Sequence, residues 1–246
     1  MHSRNLLLRS LGSNIEHLKP YLSPSSFKSG QVLKHAGDSV ESVYFPTDGL
    51  TSTRAVLQSG HEIECALIGR TNALGTVAVL ELMHIPQRFV CLTDGHAWKI
   101  AASHLMSVIR DVPAIDRLFK LFFFMEMGYA VHVGICNAMH SAEQRLARWL
   151  TTAAELLEGA EVRLPQEELA SGLGLQRGVV NHVLQRLKSD GLVDMARGRI
   201  LIRDAEGLSR RACECRVTLR RALCLNDLQP GAEVPGPPWG AFFKSR

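Results

Sequence analysis

The sequence predicts an α+β protein in which a β-rich N-terminal half leads into one long apolar helix and then a small helical unit with a basic rim. Three observations carry this. Short apolar runs recur about every ten residues from Phe27 to Ile100, parted by turn pairs such as Asp48-Gly49, Ser59-Gly60 and Asp94-Gly95, the rhythm of an all-β sandwich or barrel. From Ile115 the apolar residues switch to helical 3-4 spacing and keep it for more than three heptads. Charge is unevenly shared: residues 1–175 hold 15 Lys/Arg and 17 Asp/Glu, net −2, whereas residues 176–221 hold 11 Lys/Arg and 5 Asp/Glu, net +6. An acidic body with a basic C-terminal segment is the asymmetry of a nucleic-acid reader.

The chain of 246 residues is 46% apolar and 21% charged, which excludes wholesale disorder and allows one or two domains. Its six cysteines are too sparse and irregular for a disulfide framework. The opening Met1–Arg9 has only three consecutive apolar residues, so no signal peptide is expected. Between Leu121 and Ala142 the only formal charge is Glu126. A central carboxylate costs a membrane-spanning helix ~2.5–3.5 kcal/mol, and His132, Asn137 and His140 add to that cost. A soluble, cytoplasmic protein with no membrane partner is the expectation.

Residues 4–22 read as a short amphipathic helical segment that ends near Pro20 and Pro24. Strands are expected over Val40–Phe45, Leu50–Leu57, Glu62–Ile68, Phe89–Leu92 and Ala97–Ile100. Ser103 is the expected N-cap of a helix over His104–Arg110, and Pro113 suits the first turn of the next. In that helix Ile115, Leu118, Phe122, Met125, Tyr129, His132, Cys136 and Met139 form an a/d seam. A second apolar line, Leu121, Phe124, Val131 and Ile135, lies on another face. Two apolar faces need two partners: the chain's own β-domain and a second copy of itself. Leu118, Phe122, Met125, Tyr129 and His132 are the expected dimer seam. Ser141 can cap a helix from Ala142 to about Leu157, before a break at Gly159 and an extended Val162–Leu164. From residue 223 the tail is rich in Pro and Gly without periodicity and is expected to be disordered, although Trp239, Phe242 and Phe243 could dock.

Residues 165–202 hold the strongest functional signal. Pro165 opens a short helix, Gln166–Ser171; Gly172-Leu173-Gly174-Leu175 makes a tight turn; a second helix runs from Gln176 to Ser189 and ends at Gly191. Val180, Val183, Leu184 and Leu187 give the second helix one apolar face. Leu192–Met195 and Ile200–Ile202 then flank Arg197-Gly198-Arg199 as a hairpin with a basic tip. Helix, turn, helix and basic wing make a winged helix-turn-helix. Such a helix puts its N-terminal side chains into the major groove, so Gln176, Arg177, Asn181 and His182 are the candidate base readers. Arg forks onto guanine O6/N7, and Asn or Gln onto adenine N6/N7. Arg186 and Lys188 lie farther along and suit phosphate; Arg197 and Arg199 suit phosphate or the minor groove.

This order of units resembles the Crp/Fnr family of bacterial transcription regulators, over about residues 5–220. The resemblance rests on Gln166-Glu167-Glu168-Leu169-Ala170, Leu173-Gly174, Arg177 and Leu187…Gly191-Leu192. Val43-Tyr44-Phe45-Pro46, Cys136-Asn137, Glu143–Leu150 and Ala212-Cys213-Glu214-Cys215 are similar to one branch. It implies a cyclic-nucleotide-binding-like jelly roll, a coiled-coil dimer, palindromic operators and RNA polymerase as a partner. Domains are expected at 1–111 (effector), 112–138 (dimerisation helix) and 139–222 (winged helix-turn-helix). Members often open the recognition helix with Arg-Glu and carry another Arg five residues after the first. Here those positions are Arg177, Gly178 and His182, so the operator preference should differ from the commonest site.

Cyclic-nucleotide members pair a Gly-Glu with a later Arg. The matching stretch runs from Gly75-Thr76-Val77 to Gln87-Arg88-Phe89-Val90, where Thr76 lacks the carboxylate and Phe89 adds bulk. Cyclic AMP is therefore not expected as effector, and Arg88 is the one candidate effector-binding residue. No cofactor, catalytic residue or metal site is expected. Cys213-x-Cys215 is short of metal-ligand spacing, two ligands do not close a zinc site, and on a helix the two side chains diverge. The N-terminal cysteine cluster of an iron–sulfur sensor is missing, and no histidine stands out as a haem ligand. The alternatives are a cupin-like, metal-dependent β-barrel enzyme or small-molecule binder around His61-x-x-Glu64, and a structural dimer with a vestigial pocket.

Overall fold

The computed structural model describes residues 4–80 and 84–223; the tail beyond 223, with Trp239, Phe242 and Phe243, lies outside the described residues. The N-terminal segment is broken into α1 (Leu6–Ser10), α2 (Ile15–Leu18) and single 3-10 turns, because Gly12 turns left-handed (φ 56°) and Pro20 follows. Buried Asn5 fastens it: its Oδ1 accepts from the Leu8 N–H and its Nδ2 donates to the carbonyls of Pro46 and Asn72.

Seven strands follow: β1 (Ser23–Phe27), β2 (Val32–Lys34), β3 (Ser42–Pro46), β4 (Thr51–Val56), β5 (Glu62–Ile68), β6 (Gln87–Cys91) and β7 (Gly95–Ala101). They pair antiparallel in two sheets, ordered β1-β7-β3 and β2-β6-β4-β5. Alternation sets the faces. In β3, Val43 and Phe45 are buried while Tyr44 between them is half-buried, so the roll closes on an apolar interior. A bulge at Thr53/Arg54 shifts the β4–β5 register. Between β5 and β6 a 3-10 turn, Thr76–Leu80, lies against the long helix that follows.

Helix α3 (Ala102–Asp111) starts earlier than the Ser103 cap predicts. The Ala102 N–H donates to the Glu41 carbonyl, so the sheet already satisfies this first orphan donor. Helix α4 (Pro113–Met139) has Pro113 in its first turn, and α5 (Ala142–Leu157) opens on the reciprocal Ser141/Gln144 capping box. The left-handed residue ending α5 is Glu158 (φ 52°), not the expected Gly159. Arg4 and Arg70 hold its carboxylate at 3.0 and 2.7 Å.

The structure reverses the two faces of α4. Leu118, Phe122, Met125 and Tyr129 of the expected dimer seam are buried inside a single chain, with His132 half-buried at the edge of the same row. Most of the second apolar line is outside: Phe124, Val131 and Ile135 are 51%, 58% and 47% exposed, while Leu121 is half-buried against the core. The β-roll and the C-terminal elements pack on the a/d face from Leu118 to Tyr129, which leaves the other face exposed. Length and composition alone would let α4 cross a bilayer, yet here one of its faces is protein core.

The C-terminal unit comprises β8 (Glu161–Val162), α6 (Gln166–Leu173), α7 (Arg177–Ser189), β9 (Val193–Ala196), β10 (Arg199–Ile202), α8 (Ala205–Arg211) and α9 (Cys215–Leu223). β10 pairs with both β9 and β8, so the wing is three-stranded rather than a bare hairpin. The unit docks on the roll through α6 and β5. At that seam buried Arg54 forms ion pairs with Glu62 at 3.4 Å and Glu168 of α6 at 2.6 Å, and the Trp149 indole N–H donates to Glu64 at 2.9 Å. Burial pushes the Glu64 carboxyl up against the opposing pull of Arg54 and Arg148.

Candidate nucleic-acid interface

Pro165 stands at the N-cap of α6, and Glu167 and Glu168 in its first turn face the positive end of the helix. Gly174 ends α6 at φ 59°, where an L side chain is strained, and a Cβ there would also press on Ile63 at 3.1 Å. This turn aims α7. Gln176 caps α7 through an extended backbone with no side-chain capping bond, which leaves its amide unengaged by the cap. Val180, Val183, Leu184 and Leu187 are buried beneath the helix.

Gln176, Arg177, Asn181 and His182 are all exposed on the opposite side, along the N-terminal half of α7. Gln185 is exposed on the same row, one turn beyond Asn181. It is not among the expected readers, although its i+4 spacing from Asn181 marks it in the sequence. Among the described residues nothing lies within 4 Å of the place a Cβ on Gly178 would take. Arg186 and Lys188 are exposed but engaged within the chain: Arg186 meets Glu143 at 3.3 Å and Lys188 meets Asp194 at 3.1 Å. Lys188 beside it, with the Met195 N–H and Arg203, holds the Asp194 carboxyl down at about 2. Arg197 and Arg199 flank Gly198 (φ 71°) at the exposed wing tip. The four base-reading candidates and the two wing arginines thus stand clear, while Arg186 and Lys188 already have carboxylate partners.

A second site lies in the roll. A cavity of about 250 Å³ is bounded by Thr53, Cys65, Thr76, Gln87 and Phe89 of the roll and by Glu126 of α4. The carboxylate that Thr76 lacks arrives from α4: the Thr76 hydroxyl donates to Glu126 at 2.8 Å. Burial pushes Glu126 up to about 7, and the Thr76 bond only partly opposes it. Arg88 is not part of this cavity. Phe89 points in, so its neighbour on the strand points to the other face, where Arg88 pairs with Glu62. The expectation for Arg88 is corrected on that ground.

The expectation for the cysteines is corrected as well. Cys213 precedes α9 rather than lying within it, so its side chain and that of Cys215 do not diverge. Both converge with Cys136 near the end of α4 and His140 just beyond it, all four ligand atoms lying within 4.8 Å of one another. The sequence showed Cys213-x-Cys215 but not its partners, because Cys136 lies 77 residues before Cys213 and His140 lies 75 residues before Cys215.

Residues 24–111 match the cyclic nucleotide-binding domain family, and residues 144–211 match the Crp-like helix-turn-helix domain family. Among solved structures, FixK2 of Bradyrhizobium japonicum is similar at 15% identity and a TM-score of 0.67, over 78% of this chain and 98% of that one. The c-di-GMP-responsive global regulator CLP of Xanthomonas campestris is similar at 18% identity and a TM-score of 0.64, over 77% of this chain and 98% of that one. A Crp/Fnr-family transcriptional regulator of Thermus thermophilus gives 19% identity and a TM-score of 0.60, over 77% and 98%. No curated protein matches the chain at a significant level. A cyclic-nucleotide-binding-type β-sandwich, a long helix and a helix-turn-helix in this order define a DNA-binding transcription regulator. With both domains matched over more than half of its length, the chain belongs to the Crp/Fnr family.

Proposed function

We propose that this regulator works as a homodimer on a palindromic operator in the cytoplasm, with DNA occupancy rather than catalysis as its output. Residues 1–111 sense, 112–138 pair two chains, and 139–222 read DNA. The single observation that supports base reading best is the exposed row Gln176, Arg177, Asn181 and His182 at the start of α7, with Arg197 and Arg199 beside it on the wing. Arg177 reads a guanine in each half-site, and the wing arginines hold phosphate. Arg186 and Lys188 reach phosphate by exchanging Glu143 and Asp194 for the DNA backbone. Two chains pair through the exposed face of α4 around Phe124, Val131 and Ile135.

The effector enters the cavity between Thr76 and Glu126. Cyclic AMP is a poor fit there, because its phosphate would meet the Glu126 carboxyl and no arginine among the described residues lines the cavity. By its family the bound dimer meets RNA polymerase.

Binding isotherms on operator and scrambled duplexes at several salt concentrations test the reading. Arg177→Ala should lose ~1–3 kcal/mol of discrimination at one base pair per half-site and spare non-specific affinity. Arg199→Ala should weaken all sequences alike and lower the salt slope by about one unit per lost phosphate contact. Equal losses on both duplexes for Arg177→Ala would make it a phosphate clamp and end its role as a base reader.

A further inference from the structure

We propose that Cys136, His140, Cys213 and Cys215 bind one zinc ion that fastens the end of α4 to the segment joining α8 and α9. Three of the four side chains are buried and the fourth is half-buried. The Cys136 and Cys213 sulfurs are 3.4 Å apart, and Cys215 Sγ lies 3.7 Å from His140 Nδ1. A tetrahedral ion with Zn–S bonds of about 2.3 Å and a Zn–N bond of about 2.0 Å sets its ligand atoms roughly 3.5–3.8 Å apart. The four atoms are already gathered to nearly that size.

Two further observations point to an ion. His140 Nε2 lies 3.1 Å from the Glu214 carboxylate, so its proton belongs on Nε2 and the Nδ1 lone pair faces the sulfurs. That is the carboxylate–histidine–metal relay that orients a ligating imidazole. The second is Arg148, which is 1% exposed and whose Nε and Nη1 find no hydrogen-bond partner among the described residues. The carboxylate acting on this buried cation is Glu64, which Arg54 shares, so a further anionic neighbour would stabilise it. Zinc with three thiolates and a neutral imidazole carries one net negative charge, which Arg148 beside Cys136 would balance. Binding releases the three thiol protons to solvent, and no electron moves.

Three thiolates and an imidazole select zinc over harder ions, and four protein ligands close the site, so its role is structural. An iron–sulfur cluster spreads its cysteines over several irons and does not fit ligand atoms within 4.8 Å of one another. The ion would hold the winged unit to α4 across the bend at His140-Ser141, where the chain passes from α4 to α5.

Elemental analysis of full-length protein, purified under reducing conditions without chelator or metal-affinity resin, should give one zinc per chain. Cys215→Ser and His140→Ala should lose it, and Cys65→Ser, in the roll cavity, should keep it. Because loss of a structural ligand can also unfold a variant, the wild-type chain carries an independent readout. Stripped of zinc and loaded with cobalt, it should show tetrahedral d–d bands with strong thiolate-to-cobalt charge transfer. Metal-free wild type that takes up no cobalt would overturn the proposal. So would stoichiometric iron and sulfide, a Cys136–Cys213 disulfide found by mass spectrometry, or folded Cys215→Ser protein that retains its zinc.

Discussion

The two faces of α4 make opposite predictions, and substitution separates them. Val131 and Ile135 are about half exposed on the outer face, whereas Phe122 is 1% exposed on the inner one. Complete burial of such a side chain is worth ~1.5–3 kcal/mol, so covering the exposed half contributes on the order of 1 kcal/mol each. Val131→Glu with Ile135→Glu removes two such contributions from each of two chains, about 4 kcal/mol in all. That corresponds to roughly a thousandfold rise in the dimer dissociation constant, before the cost of burying four carboxylates. Sedimentation velocity over a dilution series reads the constant, and circular dichroism checks the fold. The double variant should be folded and predominantly monomeric. Phe122→Glu should instead lower the melting temperature by placing a carboxylate in the core of each chain. A Val131/Ile135 variant that dimerises like the wild type would refute the assignment of the outer face.

Three more outcomes follow from single contacts. Glu126 binds its proton more tightly folded than unfolded, so stability should fall by on the order of 3 kcal/mol as pH rises from about 4.5 to about 7, and level off above. Glu126→Gln should flatten that slope in urea melts run at several pH values; an unchanged slope would contradict the buried carboxyl. Gly178→Ala should raise stability by up to about 1 kcal/mol, because the added methyl meets open space and helix propensity improves; a lower melting temperature would contradict this. Arg54→Met should cost on the order of 3 kcal/mol by leaving Glu168 without its buried cation and Glu62 with Arg88 alone, measured as a lower urea midpoint, and a neutral result would show that the seam does not depend on it.

What the sequence revealed was whatever local periodicity decides. The apolar face of α7, its stop at Gly191 and the basic wing are set within a few residues of themselves, and the structure places them as expected. The same logic failed on α4, because a helix apolar on two faces carries no local mark of which face meets its own chain. Tertiary contacts with the roll and α9 decide that. Arg88 failed for a related reason: period two says that Arg88 and Phe89 face opposite ways, but not which way the cavity lies. The Cys136, His140, Cys213 and Cys215 cluster was hidden by distance along the chain, and by reading Cys213 into a helix that begins only at Cys215. Glu126 was visible as an isolated charge in an apolar helix; its partner Thr76, 50 residues earlier, was not.

Selecting bound fragments from a random duplex pool tests the central claim most directly, since it reads sequence preference and symmetry together. A dimer reading through α7 should enrich an inverted repeat whose half-sites lie about one helical turn, ~34–36 Å, apart, with Arg177→Ala relaxing one position in each half. No enrichment over the starting pool, or a single asymmetric site bound by one chain, would contradict it.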